Sequence, residues 1–303
     1  MLDLIDETYL PFTTEKLRPH FVGDVDGQLR YYQESASRYQ EFKLSHPDAR
    51  GIPLTEARVP RQIEKDERFW TITATKWIFD APDKEALLAR LLAKAYGSVP
   101  PLTGIPDWPA CLKGDLRLYF EACFPSPKTY RDSLRSQLDR RHLIPYVFDA
   151  AEREDARALE GPTHVDALFL NRTNGFAWFI EAKVLSDVSC SISFDVFRNQ
   201  IVRSIDVMLD GASTPEAALQ GRDPERSLFC LLTPAWFKGS PHSRLYGWLM
   251  QEYATKPEAL ARDLSHRQGV DWARVSRKIG WLTFEDFQDT RPGACPWMRQ
   301  RAI

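Results

Sequence analysis

Apolar side chains recur at helical spacing in several stretches of the chain. Residues 80–96 show the strongest pattern, with Leu87, Leu88, Leu91 and Leu92 on one face and Gly97 directly after it. Similar spacing predicts further helices at residues 28–45, 113–123, 128–141, 194–209 and about 242–265.

Other stretches are continuous apolar or aromatic runs, which are typical of strands. The run at residues 227–233, SLFCLLT, indicates a strand covered on both faces. Aromatic and β-branched residues favour a strand or bent pair at residues 68–79. Further strands are predicted at residues 143–148, 165–170, 176–184 and 279–284. Together the two patterns predict an α/β protein.

A proline- and glycine-rich segment at residues 97–109, GSVPPLTGIPDWP, interrupts these elements. We therefore expect a mixed α/β N-terminal region, residues 1–105, and a second region, residues 106–303. The N-terminal region contains no recognisable catalytic motif, so a role in recognising a target or partner is expected for it.

Composition narrows the class of protein. Hydrophobic residues make up 43% and charged residues 27%, which fits a globular chain. The 40 basic and 42 acidic residues exclude a globally basic nucleic-acid coat, but not a local basic groove. No apolar run is long enough for a membrane span, and the acidic start differs from a secretory signal, so a cytoplasmic protein is expected.

Several common sites are absent from the sequence. The five cysteines are far apart and form no CxxC pair, so neither a zinc site nor a disulfide framework is indicated. The sequence also lacks a Walker loop, a GxGxxG motif, a GxSxG motif and an HExxH motif. These absences argue against P-loop ATPases, dinucleotide enzymes, hydrolases with a nucleophile elbow and zincins.

The chemistry is concentrated in residues 163–187, where two apolar runs flank Asn174-Gly175. Asn-Gly is the strongest short hairpin signal, and a two-residue loop at this position would place Asp166 opposite Lys183. Glu181 lies two residues from Lys183 and therefore shares its face. The spacing thus predicts that Asp166, Glu181 and Lys183 converge.

Two acids close together among apolar residues raise each other's pKa unless a cation lies between them. Mg²⁺ binds one or two carboxylates and leaves room for phosphate oxygens. A nearby lysine can orient the attacking water or stabilise the charge that develops on phosphate. This combination is the equipment for hydrolysing a phosphodiester.

Asp166 followed by Glu181-Ala182-Lys183 at the end of an apolar strand resembles the PD-(D/E)XK nuclease superfamily, over about residues 112–235. Val165 stands where that motif has proline. The resemblance implies a restriction-endonuclease-like core, a central mixed β-sheet flanked by helices. It also implies that Asp166, Glu181 and the Ala182 carbonyl bind metal and that Lys183 is catalytic.

The resemblance implies further site residues. A further acid on the helix before the sheet is expected at Glu121, with Glu152 and Glu154 as alternatives. A glutamine on the helix after the E-x-K strand matches Gln200, and Arg203, one turn on, is a candidate for phosphate contact or for pairing with a nearby aspartate.

The function implied by the resemblance is Mg²⁺-dependent hydrolysis of DNA, with Mn²⁺ as a substitute, in a bacterial restriction or phage-defence setting. RNA is an alternative substrate, and a protein activator and a homodimer are expected partners. The competing interpretation is a catalytically inactive nucleic-acid-binding or assembly module, in which the acids only form salt bridges.

Two basic clusters are candidates for a nucleic-acid backbone or are simply solvated helix faces. Trp70 and Trp77 are expected in the core rather than in a base-stacking platform. The clusters are Arg131, Arg135, Arg140 and Arg141, and Arg262, His266, Arg267, Arg274, Arg277 and Lys278.

Overall fold

The computed structural model describes residues 3–45, 60–141, 145, 148–149, 160–188, 198–211, 214 and 216–298. At its centre is a five-stranded mixed sheet whose strands follow one another in chain order. The first three strands are antiparallel, and the last two run parallel to the third. They are β3 (Leu116–Phe124), β4 (Thr163–Asn171), β5 (Ala177–Ala182), β6 (Ser227–Thr233) and β7 (Ile279–Thr283).

A separate two-stranded antiparallel sheet lies near the start of the chain and consists of β1 (Leu4–Asp6) and β2 (Leu10–Thr13). The helices in the described part of the chain are α1 (Thr14–Leu17), α2 (Val25–Ser45), α3 (Glu67–Phe79), α4 (Lys84–Tyr96), α5 (Trp108–Leu112), α6 (Lys128–Arg135), α7 (Leu138–Arg141), α8 (Gln200–Met208), α9 (Ala235–Gly239), α10 (Leu245–Thr255), α11 (Pro257–Asp263), α12 (Trp272–Arg277) and α13 (Phe284–Thr290).

The central strands are buried on both faces because helices cover both sides of the sheet. Every residue of β5 and of β6 is buried. Alternate residues of β5 enter different cores: Trp178 and Ile180 belong to one apolar cluster, whereas Phe179 belongs to the other. This period-two division is the pattern of a sheet between two helical layers. The expected α/β class, with a mixed sheet flanked by helices, is therefore confirmed.

Two predicted elements are wrong. Residues 68–79 form helix α3 rather than a strand, and Asp66 caps this helix by accepting from the Arg68 amide. Burial explains the misleading composition, because most of α3 faces the core and its threonine hydroxyls, such as that of Thr71, bond to carbonyls within the helix. Residues 113–123 form most of strand β3 rather than a helix, since antiparallel pairing with β4 outweighs the helical spacing.

Most other predicted elements are confirmed, with shifted ends. They are the helices at residues 28–45, 80–96, 128–141 and 242–265 and the strands at residues 165–170, 176–184, 227–233 and 279–284. The helix predicted at residues 194–209 is described from Gln200 onward. Most of the strand predicted at residues 143–148, together with Glu152 and Glu154, lies outside the described residues.

The segment at residues 97–109 separates two groups of elements but not two cores. Gly97 ends α4 with a φ of 88°, a conformation that favours glycine. One apolar cluster nevertheless includes Ile72 and Leu88 from before this segment and Phe169 and Trp178 from after it. The division near residue 105 stays a prediction, and apolar packing crosses it. Within the described residues, no helix combines the length and the apolarity that crossing a membrane requires.

Candidate functional site

The hairpin between β4 and β5 has a four-residue turn, so the predicted two-residue loop is wrong. Leu170 pairs with Ala177, and the Asn171 amide donates to the Phe176 carbonyl at 2.8 Å. The side chain of Asn174 donates to the Ala110 carbonyl at 2.9 Å and accepts from the amide of Phe176, which ties the turn to α5. These side-chain bonds set a turn length that the Asn-Gly signal does not reveal.

The longer turn shifts the register by two residues. Ala167 pairs with Ile180, and continuing this register places Asp166 opposite Glu181 rather than opposite Lys183. A shift of two residues keeps every side chain on its predicted face, whereas a shift of one would not. The amide of Ala182 donates to Asp166 Oδ2 at 2.7 Å. The predicted convergence therefore occurs, with different direct neighbours.

Lys183 lies at the end of β5 and is held among carboxylates. Its Nζ donates to Glu181 Oε1 at 2.7 Å, to the Ala182 carbonyl at 3.0 Å and to Glu67 Oε1 at 3.2 Å. Burial alone would lower the pKa of Lys183, but the carboxylates of Glu181, Asp166 and Glu67 raise it above the usual lysine value. Lys183 is therefore a positively charged ammonium at neutral pH.

Glu181 is fully buried at the centre of this cluster. Burial raises its pKa, and the neighbouring ammonium of Lys183 opposes that effect. Its Oε1 accepts from Lys183 and also from Gln200 Nε2, at 2.5 Å. Its Oε2 is buried and has no hydrogen-bond partner among the described residues. A buried carboxylate oxygen without a donor needs an explanation, and a bound cation is one such explanation.

Asp166 lies beside Glu181 on the cleft wall. Burial and the adjacent Glu181 carboxylate raise the pKa of Asp166 well above its usual value. The structure thus brings Asp166, Glu181 and Lys183 together at one place, as expected. Gln200 is also in contact with this group, from the first turn of α8, where Asn199 caps the helix.

Glu121 lies on strand β3, so its predicted location on a helix is wrong. Its neighbours Phe120 and Ala122 pair with Ala167 and Val165, which places Glu121 across from Asp166. Burial and the Asp166 charge raise the pKa of Glu121 to about 8. Its φ of 50° is the one positive value for a non-glycine residue in the described part of the chain. Backbone strain of this kind concentrates at functional sites.

Glu67, the first residue of α3, also lies in this group, and no local sequence pattern indicates it. Its Oε1 accepts from Lys183, and its Oε2 accepts from the Ser186 hydroxyl at 2.5 Å. Glu67 belongs to the N-terminal region, for which no site residue was predicted. The local signal, an acid after the capping residue Asp66, marks only a helix start. Nothing in it points to a lysine that lies 116 residues further along.

Of these site residues, Glu67 and Asp166 line an open cleft of about 500 Å³ between the start of α3 and the end of β5, and Glu181 and Lys183 are buried. Arg68 at its edge pairs with Asp66 at 2.9 Å and lies over the Tyr31 ring, 3.9 Å from its centroid. The cleft wall is formed by Lys65, Asp66, Glu67, Arg68, Asp166, Leu185 and Ser186. The cleft thus reaches Asp166 and Glu67 directly, whereas Glu181 and Lys183 are buried next to them.

The donor set matches a hard divalent cation by chemistry, because it consists of carboxylates and a backbone carbonyl. The unpartnered Oε2 of Glu181 and the raised pKa values of Asp166 and Glu121 fit the same interpretation. Among the described residues, however, no three His, Cys, Asp or Glu side chains are arranged to hold a metal ion. Cation binding would therefore require Glu181 or its neighbours to rotate.

Arg203 and the second basic cluster are engaged with acids of the protein itself. Arg203 Nε lies 3.1 Å from Glu160, rather than beside Asp206 or Asp210. Within the second cluster, His266 and Arg267 contact Asp206, and three other members also make polar contacts, namely Arg262 with Asp263, Arg274 with Glu225 and Lys278 with the Pro224 carbonyl. This pairing favours a structural role for that cluster.

Comparison of the chain with protein-family models, with curated proteins and with solved structures found no match. The site is therefore interpreted from its own geometry.

Proposed function

We propose that this protein is a Mg²⁺-dependent nuclease that hydrolyses phosphodiester bonds in DNA and that its sheet is a restriction-endonuclease-like core. One observation carries the proposal: a buried lysine ammonium and the Asp166 and Glu181 carboxylates meet at a strand end beside an open cleft. Burying these charges costs free energy, and this cost is typical of a site that exists for its chemistry.

The cation would be held by Asp166, Glu181 and the Ala182 carbonyl, with Glu121 as a further acid. Mg²⁺, or Mn²⁺ in its place, supplies positive charge that offsets the charge developing on the phosphate. Glu181 Oε2 has no hydrogen-bond partner among the described residues, so it would bind the cation without losing a hydrogen bond.

Lys183 acts as a hydrogen-bond donor rather than as a base, because its raised pKa keeps the ammonium charged. It can exchange a carboxylate partner for a phosphate oxygen and position the attacking water. Gln200 holds the Glu181 carboxylate from α8 and therefore fixes its orientation. Glu67 fixes the Lys183 ammonium from the opposite side of the cleft.

The biological setting is also a proposal. A restriction or phage-defence role follows from the resemblance of the Asp166 and Glu181-Ala182-Lys183 motif. The N-terminal region would bind a protein partner or activator in addition to supplying Glu67, and a homodimer would allow both strands to be cut.

A second candidate function is a catalytically inactive nucleic-acid-binding or assembly module. One observation favours it: Glu181 Oε1 already accepts from both Lys183 and Gln200, as in a purely structural ion pair. The absence of a three-ligand arrangement among the described residues points the same way.

Nicking of supercoiled plasmid DNA in Mg²⁺ or Mn²⁺ separates the two candidates. Lys183→Ala should lower the nicking rate by about 100-fold or more, because it removes the lysine ammonium that positions the attacking water. The exposed Lys16→Ala serves as the matched control and should cut like the parent protein. A labelled RNA strand in parallel reports the alternative substrate.

Circular dichroism and a thermal midpoint show whether Lys183→Ala is folded. The nuclease proposal fails if the folded parent protein cuts no substrate with either cation, or if Lys183→Ala cuts as well as the parent.

A further inference from the structure

Large apolar side chains are exposed mainly in one part of the described chain. Six are exposed in total, and four of them belong to the segments around residues 185 and 235–248. Trp236 is 78% exposed and Trp248 is 53% exposed. We call these four residues the aromatic patch: Leu185, Trp236, Leu245 and Trp248. Exposed apolar side chains that cluster, rather than lie singly, mark interaction surfaces.

The aromatic patch is attached to the candidate site. Leu185 itself lines the cleft. Asp187 lies four residues after Lys183 and accepts from the Leu245 amide at 2.8 Å. Leu245 is the first residue of α10. The patch therefore begins at the cleft wall.

Helix α9 leaves from the same edge of the sheet. The Lys183 amide donates to the Leu232 carbonyl at 2.9 Å, and Trp236 follows four residues after Leu232. The adjacent Ala235 amide donates to Glu285 Oε2 at 2.7 Å, which fixes the start of α9. Trp236 and Lys183 are thus both carried by the carboxyl ends of neighbouring parallel strands.

Helices α9 and α10 are held together as one unit. The Arg244 guanidinium lies over the Phe237 ring, 4.6 Å from its centroid. A Cβ on Gly247 would come within 1.7 Å of the Pro241 carbonyl oxygen, so glycine is required for this close approach. The His242 ring stacks on Trp248 with centroids 3.8 Å apart and planes 14° apart. The exposed rings are therefore presented by a well-packed support.

The charge of this unit complements phosphate. Residues 235–251, which form α9 and most of α10, contain Lys238 and Arg244 together with His242 and no Asp or Glu, and Glu252 follows within α10. Acids slightly outnumber bases in the whole chain, 42 to 40, so this stretch differs from the average. Lys238 donates to the Trp281 carbonyl, and Arg244 to the Ser243 carbonyl. Neither is in an ion pair with a described acid.

We infer that the aromatic patch stacks the unpaired bases of a single-stranded DNA segment whose backbone runs into the cleft. This inference rests on the proposed function and adds a substrate class to it. Aromatic rings bind bases through their flat faces, which are open in a single strand and covered by neighbouring base pairs in a duplex. Lys238 and Arg244 would track the phosphates beside the stacked bases.

The test measures binding rather than cutting. Fluorescence anisotropy with a labelled oligo-dT strand and a labelled blunt duplex, both in EDTA, removes catalysis from the measurement. The parent protein should bind the single strand more tightly than the duplex. Trp236→Ala and Trp248→Ala should each weaken single-strand binding by roughly tenfold and leave duplex binding nearly unchanged.

Matched variants separate stacking from other effects. Trp236→Phe retains an aromatic face and should recover much of the affinity lost in Trp236→Ala. Val99→Ala removes an exposed apolar side chain elsewhere and should bind like the parent protein.

The outcomes keep this inference distinct from the nuclease proposal. Tryptophan-dependent binding without any nicking supports the inference and removes the catalytic proposal. Equal affinity for single strand and duplex, or no effect of either alanine variant, overturns the inference. A dimer in size-exclusion chromatography that dissociates in Trp236→Ala, with unchanged DNA binding, also overturns it, because the patch would then be an interface between copies.

Discussion

At the scale of single residues, the charge arrangement around Lys183 determines what the site can do. One ammonium contacts two carboxylates directly, and two more carboxylates lie close by at Asp166 and Glu121. The cluster therefore carries more acids than cations, and the pKa values of Asp166, Glu181 and Glu121 are all raised. Crowded acids of this kind attract a dication, whereas a balanced salt bridge would not.

Glu67 lies outside the motif formed by Asp166 and Glu181-Ala182-Lys183, and its carboxylate accepts a hydrogen bond from Lys183. Glu67→Gln should lower plasmid nicking by about tenfold or more, because it frees the Lys183 ammonium on one side. Glu85→Gln is a matched control, since Glu85 is also an acid in the first turn of a helix but is exposed. Removing either acid should cost the helix about 0.3–1 kcal/mol. Equal nicking by the two variants would show that Glu67 has no part in the site.

A second residue-scale prediction concerns His20, which is buried beneath the sheet. Its Nδ1 lies 2.9 Å from the Leu118 carbonyl and its Nε2 lies 3.2 Å from the Lys76 ammonium. Burial, and then the charge of Lys76, lower the pKa of His20 below 6.5. The unfolded chain therefore takes up a proton at His20 as pH falls through 6.5, while the folded chain does not.

His20 should consequently contribute stability above pH 6.5 that is lost as the pH falls toward its lowered folded value. Urea unfolding at pH 7.5 and pH 5.5 measures this loss. The loss should be smaller in His20→Gln than in the parent protein. The exposed His242→Gln should lose as much stability as the parent. An equal loss in all three proteins would assign the acid sensitivity to other groups.

At the scale of elements, local patterns predicted the strands that carry the motif. The apolar runs around Asp166 and Glu181 have strand character on their own. The hairpin joins two strands that follow each other in the sequence, so local patterns are enough to predict it. The turn length was wrong because side-chain bonds from Asn174 to α5 determine it. Helix α3 and strand β3 were misassigned because burial and pairing, which are properties of the whole fold, outweighed local preference.

The site was predictable only to the extent that it is local. Asp166, Glu181 and Lys183 lie within 18 positions of one another, so strand periodicity was sufficient. Gln200 was placed through the family resemblance. Glu67 reaches the site through the packing of α3 on the sheet, and a single sequence contains no signal for such a distant contact.

The hairpin turn gives an element-scale prediction. Gly175 has a φ of 76°, and a Cβ there would lie 3.0 Å from Asp223 Cβ and 3.2 Å from the Gly221 carbonyl oxygen. Gly175→Ala should therefore lower the free energy of unfolding by about 1–3 kcal/mol. Gly161→Ala is the matched control, because it has open space and no positive φ. That control should be neutral or stabilising by up to about 1 kcal/mol in urea unfolding.

At the scale of the whole molecule, the two regions share one apolar core and one charged site. Leu88 and Ile72 pack in the same cluster as Phe169 and Trp178, and Glu67 contacts Lys183. The candidate site therefore needs residues from both sides of position 105.

A fragment of residues 106–303 should accordingly fail to unfold cooperatively, because removing α2, α3 and α4 exposes one face of the sheet. Thermal unfolding by circular dichroism and binding of an apolar dye measure this, with the full chain as the control. A fragment with a sharp transition and no dye binding would support two independent domains instead.

The strand order of the central sheet has a consequence for how the chain is made. Each strand pairs with the one that precedes it in the sequence, from β3 through β7. No strand has to be inserted between two that are already joined, so the sheet can grow at one edge as the ribosome delivers new residues. Glu67 is synthesised 116 residues before Lys183, and the support that carries Trp236 follows β6, with β7 and α13 added after it. The candidate site is therefore assembled only once β5 has been added to the growing sheet.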